Sequence, residues 1–183
     1  FNLFNLMAAV GSVVMLTGRK VEEVCEVVEN FAGVAGRMEV VSRDPLVIVD
    51  FAHTDDGMFQ VLDSIKDRDI SVVFGAGGNR DKDKRPRMGA VAGRFAKKIY
   101  VTSDNPRDEV PEMILEDILI GLHGKDHVTA TPDRKLAIKM ALDDLEGDDA
   151  LLILGKGDED YQEIKGVKHP FDDREVVREF LKI

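Results

Sequence analysis

Four polar segments of the sequence contain residue types that bind small charged molecules. Each mixes acidic, basic or amide side chains with turn-forming or small residues, and each follows a short apolar run. They are "DFAHTD" (50–55), "GAGGNRDKDKR" (75–85), "SDNPRDE" (103–109) and "GKGDEDYQ" (155–162). Arginine and lysine bind carboxylates, whereas carboxylate and amide oxygens accept hydrogen bonds from an ammonium group. The mixture therefore suits a zwitterionic amino acid better than a nucleic acid or a sugar.

The third segment holds the densest group of such residues. Asp104 and Asn105 supply acceptors for an ammonium group, and Arg107 supplies a planar fork for a carboxylate. Pro106 stiffens the turn between them. An Asx-type turn with an exposed arginine is the alternative interpretation, and this segment alone does not separate the two.

Glycines in the second and fourth segments let the backbone approach a ligand closely. In and just after the second segment, basic side chains outnumber acidic ones: Arg80, Lys82, Lys84, Arg85 and Arg87 against Asp81 and Asp83. A predicted helix start adds a preference for an anion. The segment lacks the spacing of a P-loop or a dinucleotide fingerprint, so a solvated charged loop is the alternative. The fourth segment places Glu159 and Asp160 where they suit an ammonium group or remain solvated.

His53 follows Asp50 in the first segment and has two alternative roles. Histidine transfers protons near neutral pH, whereas a structural or nucleotide-contacting role needs no proton transfer. The other histidines have no metal-ligand spacing; they are His123, His127 and His169.

The composition is that of an ordinary globular protein, with 44% hydrophobic and 33% charged residues among 183. The net charge of −10 argues against nucleic acid as the main partner, because phosphates are neutralised by a basic surface. Cys25 is the single cysteine, which excludes an internal disulfide and a cysteine metal site and fits a reducing cytoplasm.

Residues 1–18 contain no charged side chain. They only reach the lower limit of about 18 residues for a membrane span, include two asparagines and follow no basic region. We therefore expect a buried amphipathic helix here rather than a membrane segment. The first residue is Phe1 rather than methionine, so we expect the chain to be a piece of a longer protein.

Strand and helix patterns alternate along most of the chain. Apolar runs predict strands within 46–52, 70–78, 99–103, 127–131 and 149–157. Helical spacing predicts helices at 3–17, 20–31, 56–67, 85–98, 110–122, 133–145 and 172–183. Gly18 is expected to end the first helix, Pro86 to lie in the first turn of the fourth, and Asp133 to cap the sixth.

This alternation predicts βαβ units and hence a largely parallel sheet flanked by helices, an α/β fold. A domain boundary is expected near 33–37, so two helices precede the sheet. Ligands bind beyond the carboxyl ends of the strands in such sheets. We therefore expect the four polar segments to meet at one edge of the sheet.

Seven motifs together resemble the Mur ligase family, most closely its MurE-type members. In chain order they are "FNLFN", "GRMEVV", "VDFAHT", "GAGGNRDKDKRP", "TSDNPR", "DILIG" and "GKGDEDYQ", and the last is followed by "FDDRE". Each motif is weak alone, but the ordered set is specific and spans the whole chain. The resemblance implies that residues 1–34 are the end of a central ATP-binding domain and that 35–183 form a C-terminal domain with a Rossmann-like sheet.

The same resemblance implies an ATP-dependent ligase that forms an amide bond through an acyl phosphate. It would add an amino acid to a UDP-linked peptide precursor of the cell wall, as a cytoplasmic monomer. ATP and Mg²⁺ would be bound mainly by the central domain, whose P-loop and magnesium ligands are not in this sequence. We therefore expect no catalytic residue and no metal ligand here, and no activity from these residues alone.

Matching positions imply two groups of site residues. The positions that match nucleotide contacts in the family are Asn5, Arg37, Asp50 and His53. The positions that match contacts to the incoming amino acid are Arg80, Asp104, Asn105, Arg107, Gly155 and Glu159. In the family the sequence "DNPR" accompanies meso-diaminopimelate, whose distal carboxylate needs an arginine.

Three positions depart from the family pattern and keep further interpretations open. Asp158 replaces a histidine, Asp55 a proline and Asn79 an aspartate. An added negative charge beside Glu159 would favour a more cationic amino acid, which is consistent with a lysine-adding ligase or an archaeal pseudomurein ligase. A cyanophycin- or folate-type ligase of the same fold and a non-catalytic binding module are also compatible with the sequence.

Overall fold

The computed structural model describes residues 2–31 and 33–183, and within these ranges it contains seven helices and eight strands. The contacts divide the chain into two compact units, one ending at Gly33 and the other spanning Val34–Ile183. Within the described ranges, no helix combines the length and apolar character needed to cross a membrane.

The first unit contains two helices, α1 (Asn2–Thr17) and α2 (Val21–Val28). Gly18 follows α1 with φ +68°, in agreement with the predicted stop. The expectation that this helix is buried was wrong: Phe4, Met15 and Leu16 are 74%, 87% and 86% exposed. The two helices of this unit offer each other too little apolar surface to cover such side chains. The helical spacing of the apolar residues therefore does not mean that they are buried here.

The second unit contains the remaining elements in alternating order. Its strands are β1 (Glu39–Arg43), β2 (Leu46–Asp50), β3 (Ile70–Phe74), β4 (Lys98–Val101), β5 (Val128–Ala130), β6 (Ala150–Leu154), β7 (Tyr161–Ile164) and β8 (Val167–Pro170). Its helices are α3 (Asp55–Asp63), α4 (Lys84–Phe95), α5 (Pro111–Ile120), α6 (Arg134–Asp143) and α7 (Asp173–Leu181).

Six of these strands form one sheet in the order β1-β2-β6-β3-β4-β5. β1 pairs antiparallel with β2, and all the other pairs are parallel. The predicted α/β fold with a largely parallel sheet is therefore confirmed. β1 was not predicted because it is a half-exposed edge strand that contains Glu39, Ser42 and Arg43, without a continuous apolar run.

Alternate residues of the central strands face two separate cores, as the period of two in a strand requires. On β6, Leu152 and Leu154 pack into one core with buried residues of α3, α4 and α5. Leu151 and Ile153 pack into the other core with α6 and α7. Both faces of β6 are covered by helices, so a ligand can bind only at the end of the strand, and in such sheets it binds at the carboxyl end.

Two helix starts agree with the sequence prediction. Asp133 caps α6 by accepting a hydrogen bond of 3.0 Å from the backbone N–H of Leu136, and Pro86 lies in the first turn of α4. Asp172 caps α7 in the same way, accepting from the backbone N–H of Arg174 at 2.8 Å. These caps satisfy N–H groups that a helix start otherwise leaves without partners.

β7 and β8 form a separate antiparallel hairpin that the sequence did not predict. Its turn residues Lys165 and Gly166 have φ of 49° and 75°, the left-handed conformation that two-residue hairpin turns need. Because every residue of β8 is exposed, the hairpin lacks the apolar alternation by which strands are recognised. It lies against Arg107, which forms a parallel bridge with Ile164.

Candidate functional site

A cavity of about 210 Å³ lies where the loops after β2, β3, β4 and β6 meet. Its lining comes from all four polar segments: Phe51, His53, Gly77, Arg80, Lys84, Asp104, Asn105, Arg107, Gly155 and Glu159. The convergence expected from a parallel sheet is therefore present in the structure. All six residues predicted to contact an amino acid line this one cavity, together with His53.

Glycines allow these loops to pack backbone against backbone. A Cβ on Gly78 would lie 1.9 Å from the carbonyl oxygen of Pro106, which is far too close for two heavy atoms that are not bonded to each other. Gly155 has φ +114°, and a Cβ there would lie 2.7 Å from Oδ2 of Asp104. Only glycine fits both positions, so the glycine loops and the loop after β4 form one wall.

Asp104 presents a carboxylate that the protein leaves available. The residue is 6% exposed, and among the described residues its side-chain oxygens accept no hydrogen bond, whereas its main-chain oxygen accepts one of 2.9 Å from Gln162. The carboxylate oxygens therefore keep their lone pairs available on the cavity side. An ammonium group in the cavity would supply a hydrogen-bonding partner.

Asn105, Lys156 and Glu159 form a polar network on one side of the cavity. The amide nitrogen of Asn105 donates to Oε2 of Glu159 at 2.8 Å. Nζ of Lys156, which has no exposed surface, donates to the same oxygen at 3.1 Å and to Oδ1 of Asn105 at 3.3 Å. The network orients the Glu159 carboxylate and neutralises part of its charge, while its Oε1 has no hydrogen-bonding partner among the described residues.

Arg107 is held by contacts on two sides. Its Nε donates to Oε2 of Glu163 at 3.1 Å, and its Nη1 donates to the carbonyl oxygen of Gly78 at 2.9 Å. Its backbone has φ 50° and is fixed by a hydrogen bond of 2.9 Å from its N–H to the carbonyl of Glu163. The side chain is 21% exposed, so the guanidinium faces the cavity with part of its donor capacity free.

Two cations of the second polar segment also line the cavity. Arg80 is exposed, and Nζ of Lys84 donates to the carbonyl oxygen of His53 at 3.0 Å. Burial lowers the pKa of Lys84, and the charges of Asp104 and Asp81 oppose that shift. A partly desolvated ammonium next to a free carboxylate is suited to a ligand with charges of both signs.

The other basic residues of that segment have carboxylate partners elsewhere. Lys82 pairs with Glu109, Arg85 with Glu109 and Asp117, and Arg87 with Asp55. Of the basic residues in and just after the second polar segment, only Arg80 and Lys84 therefore contribute positive charge to the cavity.

Glu109 connects the loop after β3 to the start of α4. Its Oε1 accepts from Nη2 of Arg85 at 2.8 Å and from the backbone N–H of Asn79 at 2.6 Å. The guanidinium of Arg85, which has no exposed surface, lowers the pKa of the Glu109 carboxyl to about 2, aided by the Asn79 N–H. The ion pair thereby holds the backbone beside Gly77, whose carbonyl also accepts from Arg85 at 3.3 Å.

Arg134 joins two of the loops from inside the protein. Its Nη1 donates to the carbonyl of Ser103 at 3.2 Å and its Nη2 to that of Leu154 at 3.0 Å. These two residues directly precede Asp104 and Gly155. The spacing between two walls of the cavity is therefore set by one fully buried guanidinium.

The residues predicted to contact a nucleotide lie in two places. Asp50 is 6% exposed, and its two carboxylate oxygens accept backbone hydrogen bonds of 2.7 and 2.8 Å from Ala52 and Met38. The exposed Arg37 stacks on Phe51 with its guanidinium carbon 4.3 Å from the ring centroid. Neither lines the cavity. Asn5 lies on α1, in the first unit.

His53 packs edge-on against the ring of Phe51 with centroids 4.8 Å apart, and its Nδ1 lies 3.0 Å from the Phe51 carbonyl. Because a carbonyl only accepts, Nδ1 carries the proton and Nε2 remains an acceptor in the neutral ring. An exposed guanidinium at Arg37 and a carboxylate at Asp50 with further lone pairs are donor and acceptor types that fit a nucleotide. Among the described residues, no His, Cys, Asp and Glu side chains cluster to hold a metal ion.

The three departures from the family pattern have separate local surroundings. Asn79 has φ 54°, and its amide donates to Oδ2 of Asp108 at 2.6 Å, where an aspartate would instead oppose a second carboxylate. Asp55 accepts from Nε of Arg87 at 2.8 Å. Asp158 is exposed and does not line the cavity, so it does not contact a ligand bound there.

Sequence reasoning missed several residues that shape the site. Lys156 gave a signal that was overlooked, since it lies within the second glycine loop and three residues before Glu159. Phe51 lies inside the motif "VDFAHT" but had no predicted role. Glu163 and Arg134 gave no local signal, because each meets its partners only through the fold.

Comparison with known proteins agrees with this architecture. The model of the family described as "Mur ligase, glutamate ligase domain" matches residues 36–157, about two thirds of the chain. A Helicobacter hepaticus protein named UDP-N-acetylmuramoyl-L-alanyl-D-glutamate--2,6-diaminopimelate ligase is 60% identical over 98% of this chain and 39% of its own length. A solved structure of a ligase with the same name has a TM-score of 0.77 at 39% identity, covering 99% of this chain and 38% of that one.

A Mycobacterium tuberculosis folylpolyglutamate synthase complexed with ADP shares the fold at a lower level. Its TM-score is 0.64 at 21% identity, over 80% of this chain and 35% of that one. The chain spans about two fifths of the length of the ligases it matches. With a family match over more than half of its residues, the chain belongs to the Mur ligase family and contains that family's glutamate ligase domain.

Proposed function

We propose that this chain is the amino-acid-binding, C-terminal part of an ATP-dependent ligase that adds meso-diaminopimelate to a UDP-linked cell-wall peptide precursor. One observation carries the proposal: a single cavity of about 210 Å³ combines the cations Arg80, Lys84 and Arg107 with the carboxylates Asp104 and Glu159. Pockets for drug-sized ligands begin near about 300 Å³, so this space suits an amino acid.

The balance of charges supports a diamino diacid over simpler amino acids. Arg107 offers a fork for one carboxylate, and Arg80 with Lys84 offers a second cationic position. Asp104 and Glu159 offer positions for two ammonium groups. Lysine would leave one cationic position without a carboxylate, and glutamate would leave one carboxylate without an ammonium group. The names of the similar ligases, which specify 2,6-diaminopimelate, agree with this reasoning.

The proposal assigns Asn5, Arg37, Asp50 and His53 to the nucleotide. Arg37 would contact phosphate, and Asp50 would contact the ribose hydroxyls. Phe51 and His53 follow Asp50 in the chain and line the cavity. ATP supplies the phosphoryl group that activates the precursor carboxylate, and Mg²⁺ would be held mainly by residues outside this chain. Because the reaction consumes ATP and a UDP-linked precursor, we place the ligase in the cytoplasm.

The cavity's role in the reaction is to present the amine. The amine nitrogen attacks the activated carboxyl carbon, the C–N bond forms, and the bond to the phosphoryl oxygen breaks with release of phosphate. An ammonium group must first lose a proton to solvent, while Asp104 and Glu159, which line the cavity, hold the amino acid in place. Fixing the amine in position lowers the entropic part of the barrier.

The test is an acceptor screen with the complete ligase. Phosphate release is measured with ATP and UDP-N-acetylmuramoyl-L-alanyl-D-glutamate, adding meso-diaminopimelate, L-lysine or L-glutamate in parallel. Activity with diaminopimelate alone is the expected result. Activity with lysine alone would replace the amino acid but keep the ligase, whereas activity with glutamate alone, or with none of the three, would contradict the proposed function.

A further inference from the structure

Arg107 is attached to the β7–β8 hairpin through both its backbone and its side chain. Its N–H donates to the carbonyl of Glu163 at 2.9 Å, and its own carbonyl accepts from the N–H of Lys165 at 2.8 Å. These bonds pair Arg107 with Ile164 as a one-residue parallel bridge at the edge of β7. They fix the Cα position of Arg107 but leave the direction of its long side chain undetermined.

Two further contacts determine that direction. Nε of Arg107 donates to Oε2 of Glu163 at 3.1 Å, and Nη1 donates to the carbonyl of Gly78 at 2.9 Å. A guanidinium has five N–H groups, so three remain, both on Nη2 and one on Nη1. These three include both N–H groups of Nη2, which remain available to a carboxylate.

Glu163 is a suitable residue to hold the guanidinium in this orientation. Its side chain is 29% exposed and that of Arg107 is 21% exposed, so solvent screens the ion pair only in part. The backbone of Glu163 is itself fixed, because its N–H donates to Oδ1 of Asn105 at 2.9 Å. One residue thereby connects the Arg107 fork to the network that orients Glu159.

We propose that Glu163 is the positioning residue of the Arg107 subsite, which orients the free end of the guanidinium towards the amino acid's carboxylate. The inference rests on the proposed function, in which Arg107 receives that carboxylate. Glu163 does not touch the amino acid itself. Glu163 restricts the rotamers of Arg107 before the amino acid binds, so that binding itself loses less side-chain entropy.

Removing Glu163 should therefore weaken amino-acid binding without slowing the chemical step. Immobilising an arginine side chain costs rotamer entropy, and recovering part of that entropy corresponds to about a tenfold change in affinity. In Glu163→Ala we expect the KM for meso-diaminopimelate to rise about tenfold. The kcat and the KM for ATP should stay within about twofold.

A conservative variant separates positioning from charge. Glu163→Gln keeps an oxygen that accepts from Nε but has no charge, so it should restore most of the wild-type KM. Equal losses in Glu163→Ala and Glu163→Gln would overturn positioning in favour of a purely electrostatic role. A lower KM in either variant would also overturn it, since Glu163 would then be competing with the ligand for Arg107.

The experiment uses the complete ligase with Glu163→Ala, Glu163→Gln, Arg107→Ala and the double variant Glu163→Ala/Arg107→Ala. Glu179→Ala is the matched control, because Glu179 is an exposed glutamate of the same domain that pairs only with Lys135 among the described residues. If Glu163 acts through Arg107, the double variant should have the KM of Arg107→Ala. Additive effects in the double variant would show that Glu163 acts independently and would overturn the inference.

The same variants distinguish failure of this inference from failure of the proposed function. If the wild-type ligase does not use meso-diaminopimelate, the proposed function falls and the inference falls with it. If the wild-type ligase uses it but Arg107→Ala leaves its KM unchanged, Arg107 is not the carboxylate receptor and only the inference falls. If Arg107→Ala raises the KM but Glu163→Ala behaves like Glu179→Ala, only the positioning role is wrong. Thermal unfolding of each variant checks that Glu163→Ala is folded, and Glu163→Gln provides the answer if it is not.

Discussion

The guanidinium of Arg134 donates two hydrogen bonds of 2.7 Å to the two carboxylate oxygens of Asp173, and neither side chain has exposed surface. Each residue is the first of its helix, α6 and α7 respectively. Burial disfavours the charge on Arg134, but the Asp173 carboxylate, with the charges of Asp104 and Glu159, outweighs this effect and raises the arginine's pKa. Since Arg134 also binds the carbonyls that precede two cavity residues, the pair links helix packing to the shape of the site.

Breaking this pair should destabilise the protein strongly. Removing one partner of a buried ion pair leaves an uncompensated charge and typically costs about 3–5 kcal/mol, so Asp173→Asn should cost about 3 kcal/mol because the amide still accepts one bond. Urea unfolding followed by circular dichroism measures the loss. Glu179→Gln, which breaks the exposed Lys135 pair on the same two helices, should cost less than about 1 kcal/mol.

A double-mutant cycle with Asp173→Asn, Arg134→Gln and their combination tests the interpretation of that loss. Residues in direct contact couple by about 0.5–3 kcal/mol, and we expect a value in the upper half of that range. Free energies that add to within about 0.3 kcal/mol would show that the two residues stabilise the fold separately.

The sheet was predictable because its central strands are buried on both faces. A strand such as β6, with five consecutive buried residues from Ala150 to Leu154, must be apolar throughout, and such a run is visible in a sequence. Parallel connection then places the strand ends together, which is why the four distant polar segments were expected to meet at one edge of the sheet, where the cavity lies.

The features that were not predicted from the sequence share a physical cause: each depends on partners that are distant along the chain. The β7–β8 hairpin contains exposed polar residues and is positioned by contacts with Arg107. Arg85, Arg134 and Lys156 have no exposed surface, yet charged residues in a sequence predict solvent exposure. Only the fold shows that carboxylates and carbonyls surround them.

Gly155→Ala should damage the amino-acid site more than the fold. A methyl group would lie 2.7 Å from Oδ2 of Asp104, so the carboxylate or the loop must move by several tenths of an ångström. We expect the KM for the amino acid to rise roughly tenfold or more in the complete ligase, because misplacement of this size weakens a charge-assisted contact.

Gly124→Ala is the control for the backbone strain that alanine causes at a position with positive φ. Gly124 also has positive φ, +75°, but nothing lies within 4 Å of its Cβ position. Both variants place an alanine at positive φ, which costs at least about 1 kcal/mol, and only Gly155→Ala crowds the cavity. An equal rise in KM in both would mean that strain, rather than contact with Asp104, causes the effect.

Replacing Arg107 should separate amino-acid binding from nucleotide binding. Arg107→Ala removes a forked, charged donor, which should raise the KM for meso-diaminopimelate roughly 10- to 100-fold. Arg107→Lys keeps the charge but not the fork and should recover only part of the loss. Steady-state kinetics with each substrate varied in turn measures both KM values. A parallel rise in the KM for ATP would contradict the assignment of Arg107 to the amino acid.

The stability of the protein should depend on pH through Glu109. Its carboxyl has a pKa of about 2 in the folded state, against an ordinary value of 4.5, mainly because Arg85 donates to it. A lowered folded-state pKa stabilises the protein above the unfolded-state value, and that stability is lost as the pH falls from about 4.5 towards about 2. Urea unfolding at several pH values between 3 and 7 measures this dependence.

Glu109→Gln isolates the contribution of this one carboxyl group. At pH 7 the variant should be less stable than the wild type by about 2 kcal/mol, since Arg85 keeps its second partner, Asp117, at 2.8 Å. The difference should shrink as the pH falls from about 4.5 towards 2, because wild-type Glu109 then takes up a proton on unfolding and loses its advantage. A difference that stays constant from pH 7 to pH 3 would show that the hydrogen bonds of Glu109, and not its charge, stabilise the loop after β3.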